Sequence, residues 1–263
     1  MTSDPGTAMH VVERGAGSLS LIFLHYFAGS SKAWSEVVNR LASRYRCLVP
    51  DLPGFGDSLP TPHLRVDDYA DALIGLLASQ RVSRFLLIGH SMGGKIALAV
   101  AAQRPAALMG MVLLAPSPPT PEPIEDDARA RALAAHGDRQ EAEATFENIS
   151  ARPLSDAVRH QVVEDSMRSS PNAWHAWLAS GSREDISSRL SGLRLPTVVL
   201  TGSEDRVLPP AVIEREVVGR IPAARHSVIP GAGHLLPYEA SGEVAEAVSR
   251  LAEADTAMSS RLG

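Results

Sequence analysis

The sequence predicts an α/β protein with a mostly parallel sheet, helices on both faces and a helical insertion in its second half. Three observations support this class. Short β-rich runs alternate with segments of helical period, the pattern typical of β-α-β crossover units. The strand candidates are nearly continuous apolar runs, as expected for strands covered on both faces. The alternation stops at a proline-rich segment after Leu114, and only helical patterns follow up to about Arg189.

Six segments are predicted as strands of the sheet: 19–25, 46–50, 85–89, 108–114, 197–201 and 226–229. Helices are expected between them, near residues 32–43, 66–78, 94–103, 210–219 and 238–251. A ribbon around residues 9–14 is expected to add antiparallel strands at one edge. Because 263 residues suit one α/β domain, we expect a single core that carries an insertion.

The insertion is predicted from five prolines between residues 116 and 123, which exclude a central strand and a helix interior. We therefore assign residues 1–116 and 190–263 to the core and residues 117–189 to a helical cap. The last cap helix is expected to begin with Ser170 as its N-cap and Pro171 in its first turn. Trp174 and Trp177 share one face of this helix, where they either pack against neighbouring elements or contact a ligand.

Composition narrows the classes of partner. With 44% hydrophobic and 21% charged residues the chain is neither disordered nor fibrous. A formal charge of -5 without a block of like charge offers no basic surface for nucleic acid or a membrane. The first ten residues lack a signal-peptide pattern and no stretch has the length of a spanning helix, so we expect a cytoplasmic protein. The single cysteine, Cys47, fits a reducing compartment and is interpreted as a core residue.

A candidate nucleophile stands in Gly89-His90-Ser91-Met92-Gly93, which follows an apolar strand and opens a predicted helix. A serine on such a turn is held in a strained backbone conformation, and the two glycines remove side chains that would collide across it. The hydroxyl then stands clear of the sheet beside a helix N-terminus, which favours negative charge. Ser91 is therefore the predicted nucleophile.

A serine nucleophile needs a histidine base and a carboxylate that orients the base, and after a turn of this type both follow the serine in the chain. His234 lies in a glycine-rich turn just past a strand candidate, whereas His226 begins an apolar run, so His234 is the predicted base. For the acid, Glu204 and Asp205 both lie in a loop that follows a buried strand at the same end of the sheet.

No cofactor or metal site is predicted. None of the nine histidines pairs with another at i,i+4 spacing or lies beside clustered cysteines. The run Gly54-Phe55-Gly56 lacks the third glycine and the helix start of a dinucleotide-binding fingerprint. His25 and His90, at strand ends, are interpreted as loop braces.

Four separated motifs share their order and spacing with a known family. They are Leu24-His25 with Gly29-Ser30, residues 51–58 (DLPGFGDS), residues 89–94, and residues 201–205 followed by Gly233-His234. In these motifs, and over nearly its whole length, the chain resembles the α/β-hydrolase superfamily, in its serine hydrolase and esterase branch with a helical cap. The resemblance implies a mostly parallel eight-stranded sheet with a lid after the sixth strand. Through residues 206–209 it also favours Asp205 over Glu204 as the acid.

The resemblance further implies an oxyanion hole made by two backbone N–H groups, which map to Met92 and Phe27. Relatives usually carry His-Gly where this chain has His25-Tyr26. If that position needs a positive φ, Tyr26 would strain the loop by about 1 kcal/mol or more. Alternatively its phenol reaches the pocket as an extra donor, or serves a structural role. Tyr26 and the two cap tryptophans are thus candidate substrate contacts.

By this resemblance the expected reaction is hydrolysis of a small-molecule carboxylic ester through an acyl-enzyme on Ser91, without a cofactor. Lactonase, thioesterase, perhydrolase and carbon-carbon bond hydrolase activities would use the same triad. An aspartate nucleophile, as in dehalogenases and epoxide hydrolases of this fold, is disfavoured by Ser91. The alternative of another class is a non-catalytic ligand receptor on the same fold.

Overall fold

A seven-stranded sheet forms the centre of the computed structural model, which describes the backbone of residues 9–259 and the side chains of residues 9–254. Its strand order is β1-β3-β2-β4-β5-β6-β7, and all neighbours are parallel except β1, which runs antiparallel to β3. The strands are β1 Val11–Arg14, β2 Ser20–Leu24, β3 Arg46–Pro50, β4 Phe85–His90, β5 Leu108–Leu114, β6 Thr197–Gly202 and β7 Ala224–Ile229. The predicted α/β class with a mostly parallel sheet is confirmed.

The predicted count of eight strands is wrong by one for the described residues. The ribbon expected around residues 9–14 supplies one edge strand, β1, because six residues have room for one strand and not for two strands and a turn. With one N-terminal strand fewer than predicted, the helical insertion follows the fifth strand of the described sheet and not the sixth.

Helices cover both faces of the sheet. Successive side chains of a buried strand point to opposite faces, so each strand contributes to a hydrophobic cluster on either side. Leu21 and Phe23 of β2 pack in one hydrophobic cluster, and Ile22 and Leu24 pack in the other. Buried Cys47 of β3 belongs to the first cluster, and burial raises the pKa of its thiol to about 12. The helices of the core are α1 Ser35–Leu41, α2 Val66–Ser79, α3 Met92–Ala102, α8 Pro210–Glu216, α9 Leu236–Glu239 and α10 Ser241–Ser259.

Four helices, α4 Asp126–Ala134, α5 Arg139–Ile149, α6 Asp156–Arg168 and α7 Pro171–Ala179, lie between β5 and β6. We call this segment between the two strands the cap. As predicted, Ser170 caps α7 by accepting a hydrogen bond from the N–H of Ala173 at 3.4 Å, and Pro171 occupies the first turn. The N–H of Ser170 also donates to the carbonyl of Gly54 at 2.8 Å, which ties α7 to a loop of the core. The division into core and cap at residues 117 and 189 stays a prediction.

The carboxyl ends of the parallel strands meet at one edge of the sheet, where ligands bind in open α/β folds. Leu24 of β2 pairs with Gly89 of β4, so the loop after β2 begins beside the turn that carries Ser91. Gly202 of β6 pairs with Ile229 of β7, so the loops that follow these strands also start side by side. Within residues 9–259, no helix combines the length and the apolar character that crossing a membrane requires.

Candidate active site

Ser91 occupies the sharp turn between β4 and α3, with φ 51° and ψ −115°. This conformation is strained for a residue with a side chain and persists only where the surroundings enforce it. A Cβ on Gly89 would lie 2.5 Å from the carbonyl oxygen of Gly93, and one on Gly93 would lie 2.7 Å from that of His25 and closer still to that of Leu24. The two glycines of the motif are therefore required by the close approach of three segments of backbone.

His234 and Asp205 form a buried hydrogen-bonded pair. The Nδ1 of His234 lies 2.8 Å from Oδ2 of Asp205, and the two side chains are 5% and 0% exposed. Asp205 is held in turn by the N–H groups of Val207 and Leu208, which donate to its Oδ1 at 2.8 and 2.9 Å. With Nδ1–H donating to the carboxylate, Nε2 of His234 is the ring nitrogen left to act as a base.

The competing candidates lie elsewhere. Glu204 is exposed and accepts a hydrogen bond from the neighbouring Ser203 hydroxyl at 3.0 Å. His226 lies on β7, where its ring nitrogens contact the Thr201 hydroxyl at 2.9 Å and a carboxylate oxygen of Glu214 at 2.6 Å. The geometry therefore favours Asp205 and His234.

The electrostatic setting of His234 favours a protonated ring. Burial lowers the pKa of His234, but the Asp205 carboxylate, by its charge and its hydrogen bond, acts in the opposite direction, as do Glu122 and Glu239 more weakly. The net result is a pKa above the ordinary value of 6.5. An imidazolium formed on this ring would thus be stabilised where it stands.

The backbone of the His234 turn is fastened by neighbours that sequence reasoning did not single out. The N–H of His234 donates to the carbonyl of Ile149, at the end of α5, at 2.8 Å. Nε2 of buried His90 lies 2.8 Å from the carbonyl of His234, so its ring braces the turn, as interpreted from the sequence.

Glu239 joins the cap to the same turn. Its buried carboxylate accepts hydrogen bonds from the N–H groups of Gly233 and Leu235, which flank the histidine, at 2.8 and 3.0 Å. It also accepts from the N–H groups of Ala151 and Arg152, just after α5, at 3.0 and 2.8 Å. The sequence carried no signal for this role, because the donors on the cap side lie 87 and 88 residues away in the chain.

The N–H groups of Met92 and Phe27, which were predicted to form an oxyanion hole, are free of backbone acceptors in the described structure. Met92 is the first residue of α3, so its N–H has no acceptor within the helix, and the N–H of Phe27 donates to no backbone carbonyl in the described part of the chain. The strain expected at Tyr26 is absent, because the positive φ of this loop, 61°, falls on Ala28. The departure from the usual glycine therefore leaves the loop intact.

The Tyr26 side chain faces inward. It is 5% exposed, its ring lies 5.2 Å from that of His90, and its hydroxyl has no hydrogen-bond partner in the described structure. Burial raises the pKa of its phenol well above 10, and the Tyr238 phenol and the Asp165 carboxylate add to the shift. The burial of the phenol and the ring contact with His90 support a packing role more than a substrate contact, although Tyr26 also lines the cavity.

A cavity of about 430 Å³ contains Ser91 and His234 in its wall. Trp174 and Trp177 line it as well; Nε1 of Trp174 donates to the carbonyl of Ala132 at 3.0 Å, and its ring packs 4.8 Å from that of Phe27. Most of the remaining wall is apolar and comes from the cap side: Ile124, Ala128, Ala135, Ala142, Ile149, Val162 and Leu178. The structure thus brings all three predicted substrate contacts to one cavity with the serine and the base.

Glu122, which the sequence reasoning missed, also lines this cavity. Burial raises the pKa of its carboxyl group; the Ser117 hydroxyl and the positive charges of Lys95, His234 and Arg129 act against that shift. Its place in a proline-rich segment hides it from periodicity, and only the fold brings it to the site.

The two cations near Glu122 are buried and bind neutral acceptors. Nζ of Lys95 donates to the carbonyls of Thr120 and Glu184 at 3.2 and 2.6 Å, and burial lowers its pKa to about 8. Arg129 donates to the Ser182 hydroxyl at 2.5 Å. In the described part of the chain neither cation forms an ion pair.

The motif at residues 51–58 has a structural explanation. Ligand atoms of His10, Asp51 and Asp57 lie within 4.8 Å of one another, a spacing a metal ion would tolerate. The Asp51 carboxylate, however, is already engaged by Nδ1 of His10 at 2.8 Å and by the N–H groups of Ser31 and Asp57 at 2.5 and 2.9 Å. This carboxylate therefore fixes the loops at residues 31 and 57 and does not need an ion.

The comparisons with known proteins agree with this fold. The sequence profile of the alpha/beta hydrolase family matches residues 21–247. The chain belongs to the alpha/beta hydrolase family, and the predicted resemblance and α/β-hydrolase fold are confirmed.

The similar proteins are named for different activities. A protein of Enterobacter sp. (strain 638) named 2-succinyl-6-hydroxy-2,4-cyclohexadiene-1-carboxylate synthase is 30% identical over 242 residues, which cover 88% of this chain and 90% of that protein. A thermophilic esterase from Thermogutta terrifontis superposes with a TM-score of 0.79 at 27% identity and covers 94% of this chain and 93% of its own. A bromoperoxidase from Bacillus anthracis reaches a TM-score of 0.85 at 19% identity over 92% and 94% of the two chains, which shows the shared fold.

Proposed function

We propose that this protein is a serine hydrolase that cleaves carboxylic esters through an acyl-enzyme on Ser91. The observation that carries the proposal is the buried pair of Asp205 and His234 in the loops beside a strained Ser91, with Ser91 and His234 in the wall of one cavity. This is the combination of nucleophile, base and orienting acid that activates a serine hydroxyl.

In the proposed reaction, Nε2 of His234 takes the proton of the Ser91 hydroxyl as its oxygen attacks the ester carbonyl carbon. The N–H groups of Met92 and Phe27 hold the resulting oxyanion. The C–O bond to the alcohol then breaks, and the imidazolium, stabilised by Asp205, returns its proton to the leaving alkoxide. Water, deprotonated by the same imidazole, attacks the acyl carbon. The C–O bond to Ser91 then breaks, the imidazolium returns the proton to the serine oxygen, and the acid is released.

The character of the wall supports an uncharged substrate. Among the described residues that line the cavity none is lysine or arginine, and the carboxyl groups, Glu122 and Glu141, would repel an anion. The Enterobacter relative is named for a product that carries a carboxylate. This chain lacks a cation in the cavity wall that would bind such a group, so we propose a neutral, largely apolar ester.

A second candidate is carbon-carbon bond chemistry with the same triad, favoured by the 30% identity to the synthase over 90% of that protein's length. Lactone, thioester and peracid chemistry use the same residues and differ in the leaving group or the acceptor. The non-catalytic alternative is a ligand receptor on the same fold. The retained pair of His234 and Asp205 supports an enzyme.

The test combines a fluorophosphonate probe with a panel of nitrophenyl esters of increasing acyl length. Wild type is expected to be labelled and to hydrolyse short neutral esters, and Ser91→Ala is expected to lose both properties. Ser79→Ala, which removes an exposed helical hydroxyl, is the matched control and should keep both. A wild type that is neither labelled nor active, or a Ser91→Ala variant with full activity, would refute the proposal.

A further inference from the structure

One carboxyl group in the wall of the cavity has no role in the proposed chemistry. Glu122 lies between β5 and α4, and its N–H donates to the carbonyl of Ser182 at 2.8 Å, which fixes its backbone under the cap. The residue is partly exposed and lines the same cavity as Ser91 and His234. A substrate held at the serine therefore shares its space with this carboxyl group.

Neither neighbouring cation forms an ion pair with the carboxylate of Glu122 in the described part of the chain. Lys95 and Arg129 are 0% and 4% exposed, and neither lines the cavity. The bonds of Lys95 to the carbonyls of Thr120 and Glu184 direct its ammonium at main chain. Both cations favour an ionised Glu122 by their charge, and the Ser117 hydroxyl favours it as a hydrogen-bond donor. The two oxygens of a carboxylate can accept more than one hydrogen bond, so Glu122 can still accept from a ligand.

A half-buried carboxylate is stabilised more by a hydrogen-bond donor than an exposed one, because a charged acceptor without a partner costs free energy where water is excluded. The other carboxyl group of the wall, Glu141, is exposed, where water satisfies it. Most side chains of the cavity around Glu122 are apolar and offer no donor of their own. A second donor for Glu122, beside the Ser117 hydroxyl, is therefore best supplied by the substrate.

We propose that Glu122 determines specificity by accepting a hydrogen bond from a neutral donor of the substrate, an amide N–H or a hydroxyl. The inference rests on the proposed function, because it takes the substrate carbonyl to be held at Ser91. It narrows the substrate class from neutral esters to esters that carry a donor at the distance separating Ser91 from Glu122.

The experiment uses pairs of nitrophenyl esters. In each pair one acyl chain carries an acetamido group and the other the ketone with CH₂ in place of the N–H, and the series varies the number of methylenes before this group. We expect one chain length at which wild type prefers the amide by about 10-fold or more in kcat/KM, mainly through KM. Glu122→Leu should abolish this preference and Glu122→Gln should reduce it, whereas Glu141→Gln should keep it.

The outcomes separate the two proposals. Hydrolysis of the neutral ketone esters tests the proposed function, and the ratio within each pair tests the role of Glu122. A wild type that hydrolyses both members equally at every length overturns the inference and leaves the hydrolase proposal standing. If no ester is cleaved, calorimetric binding of the matching amide and ketone ligands, built as methyl ketones at the reactive end, to Ser91→Ala decides the inference in the same way. If Glu122→Leu does not fold, Glu122→Gln decides the role of the residue: a reduced preference supports it, and an unchanged preference overturns it.

Discussion

Replacing Glu239 by glutamine tests whether one carboxylate fastens both the cap and the turn of the base. Its Oε2 accepts from Ala151, Arg152 and Gly233 at 3.0, 2.8 and 2.8 Å, and its Oε1 accepts from Leu235 at 3.0 Å. A glutamine carbonyl can replace Oε2, but its amide nitrogen then faces the N–H of Leu235. Two donors cannot bond to each other, so that N–H is left unpaired.

The size of the effect follows from these contacts. A hydrogen bond to a charged group is worth about 1 kcal/mol more than a neutral one, which amounts to about 3 kcal/mol over the three retained bonds. The unpaired N–H of Leu235 adds about 1–3 kcal/mol. Removal of a buried charge offsets part of this, so we expect a net loss of about 2–4 kcal/mol. That loss lowers Tm by about 5–12 °C in a chain of this size.

The assays are thermal unfolding and kcat/KM for a neutral nitrophenyl ester. Because His234 lies between two of the donors, we expect a fall of about 10–100-fold in kcat/KM. Glu243→Gln is the matched control, since it removes only the half-exposed pair with Arg152 at 3.2 Å, worth less than about 1 kcal/mol. A Glu239→Gln variant whose Tm and activity equal those of the control would refute the reasoning.

Three further predictions concern the site. Asp205→Asn should lower kcat by roughly 10⁴-fold, because the imidazole loses its orienting partner, and Glu204→Gln should change it little; the opposite order in steady-state assays would reverse the assignment. Because the base must be neutral and the pKa of His234 is raised, kcat/KM should fall with decreasing pH at a midpoint above 6.5, and a midpoint below 6.5 in the pH profile would contradict this. Gly93→Ala should cost about 3 kcal/mol or more, because its Cβ would collide with the Leu24 carbonyl, and an unchanged urea midpoint would speak against that steric argument.

Sequence patterns that span only a few residues predicted most strands and helices and the position of the nucleophile. Ser91 is found by its strand, turn and helix start, and the steric need for its glycines is equally local. His234 was predicted from its turn and its place in the chain, Asp205 was preferred to Glu204 through the family resemblance, and the structure places His234 and Asp205 2.8 Å apart. Their catalytic roles stay predictions. The strand count was wrong because the N-terminal ribbon forms one strand, and periodicity over so short a run does not show how many strands it contains.

Long-range contacts were outside the reach of the sequence. Glu239 bonds to N–H groups almost ninety residues away, and Glu122 reaches the cavity only because its proline-rich segment folds back beneath the cap. Neither residue stands in a periodic pattern. The backbone conformation at Tyr26 was left open for a related reason: φ depends on the path of the whole loop, and the positive value falls two residues later, on Ala28.

The bonds from His234 to Ile149 and from Glu239 to the residues after α5 bear on how this family diversifies. A cap inserted in a loop would be expected to be replaceable by the cap of a relative without an effect on the core. Here the end of α5 supplies hydrogen bonds on which the turn of the base depends. A chimera that receives the cap of another protein must therefore keep matching backbone at residues 149–152. Otherwise the new cap leaves the turn of His234 without its hydrogen bonds.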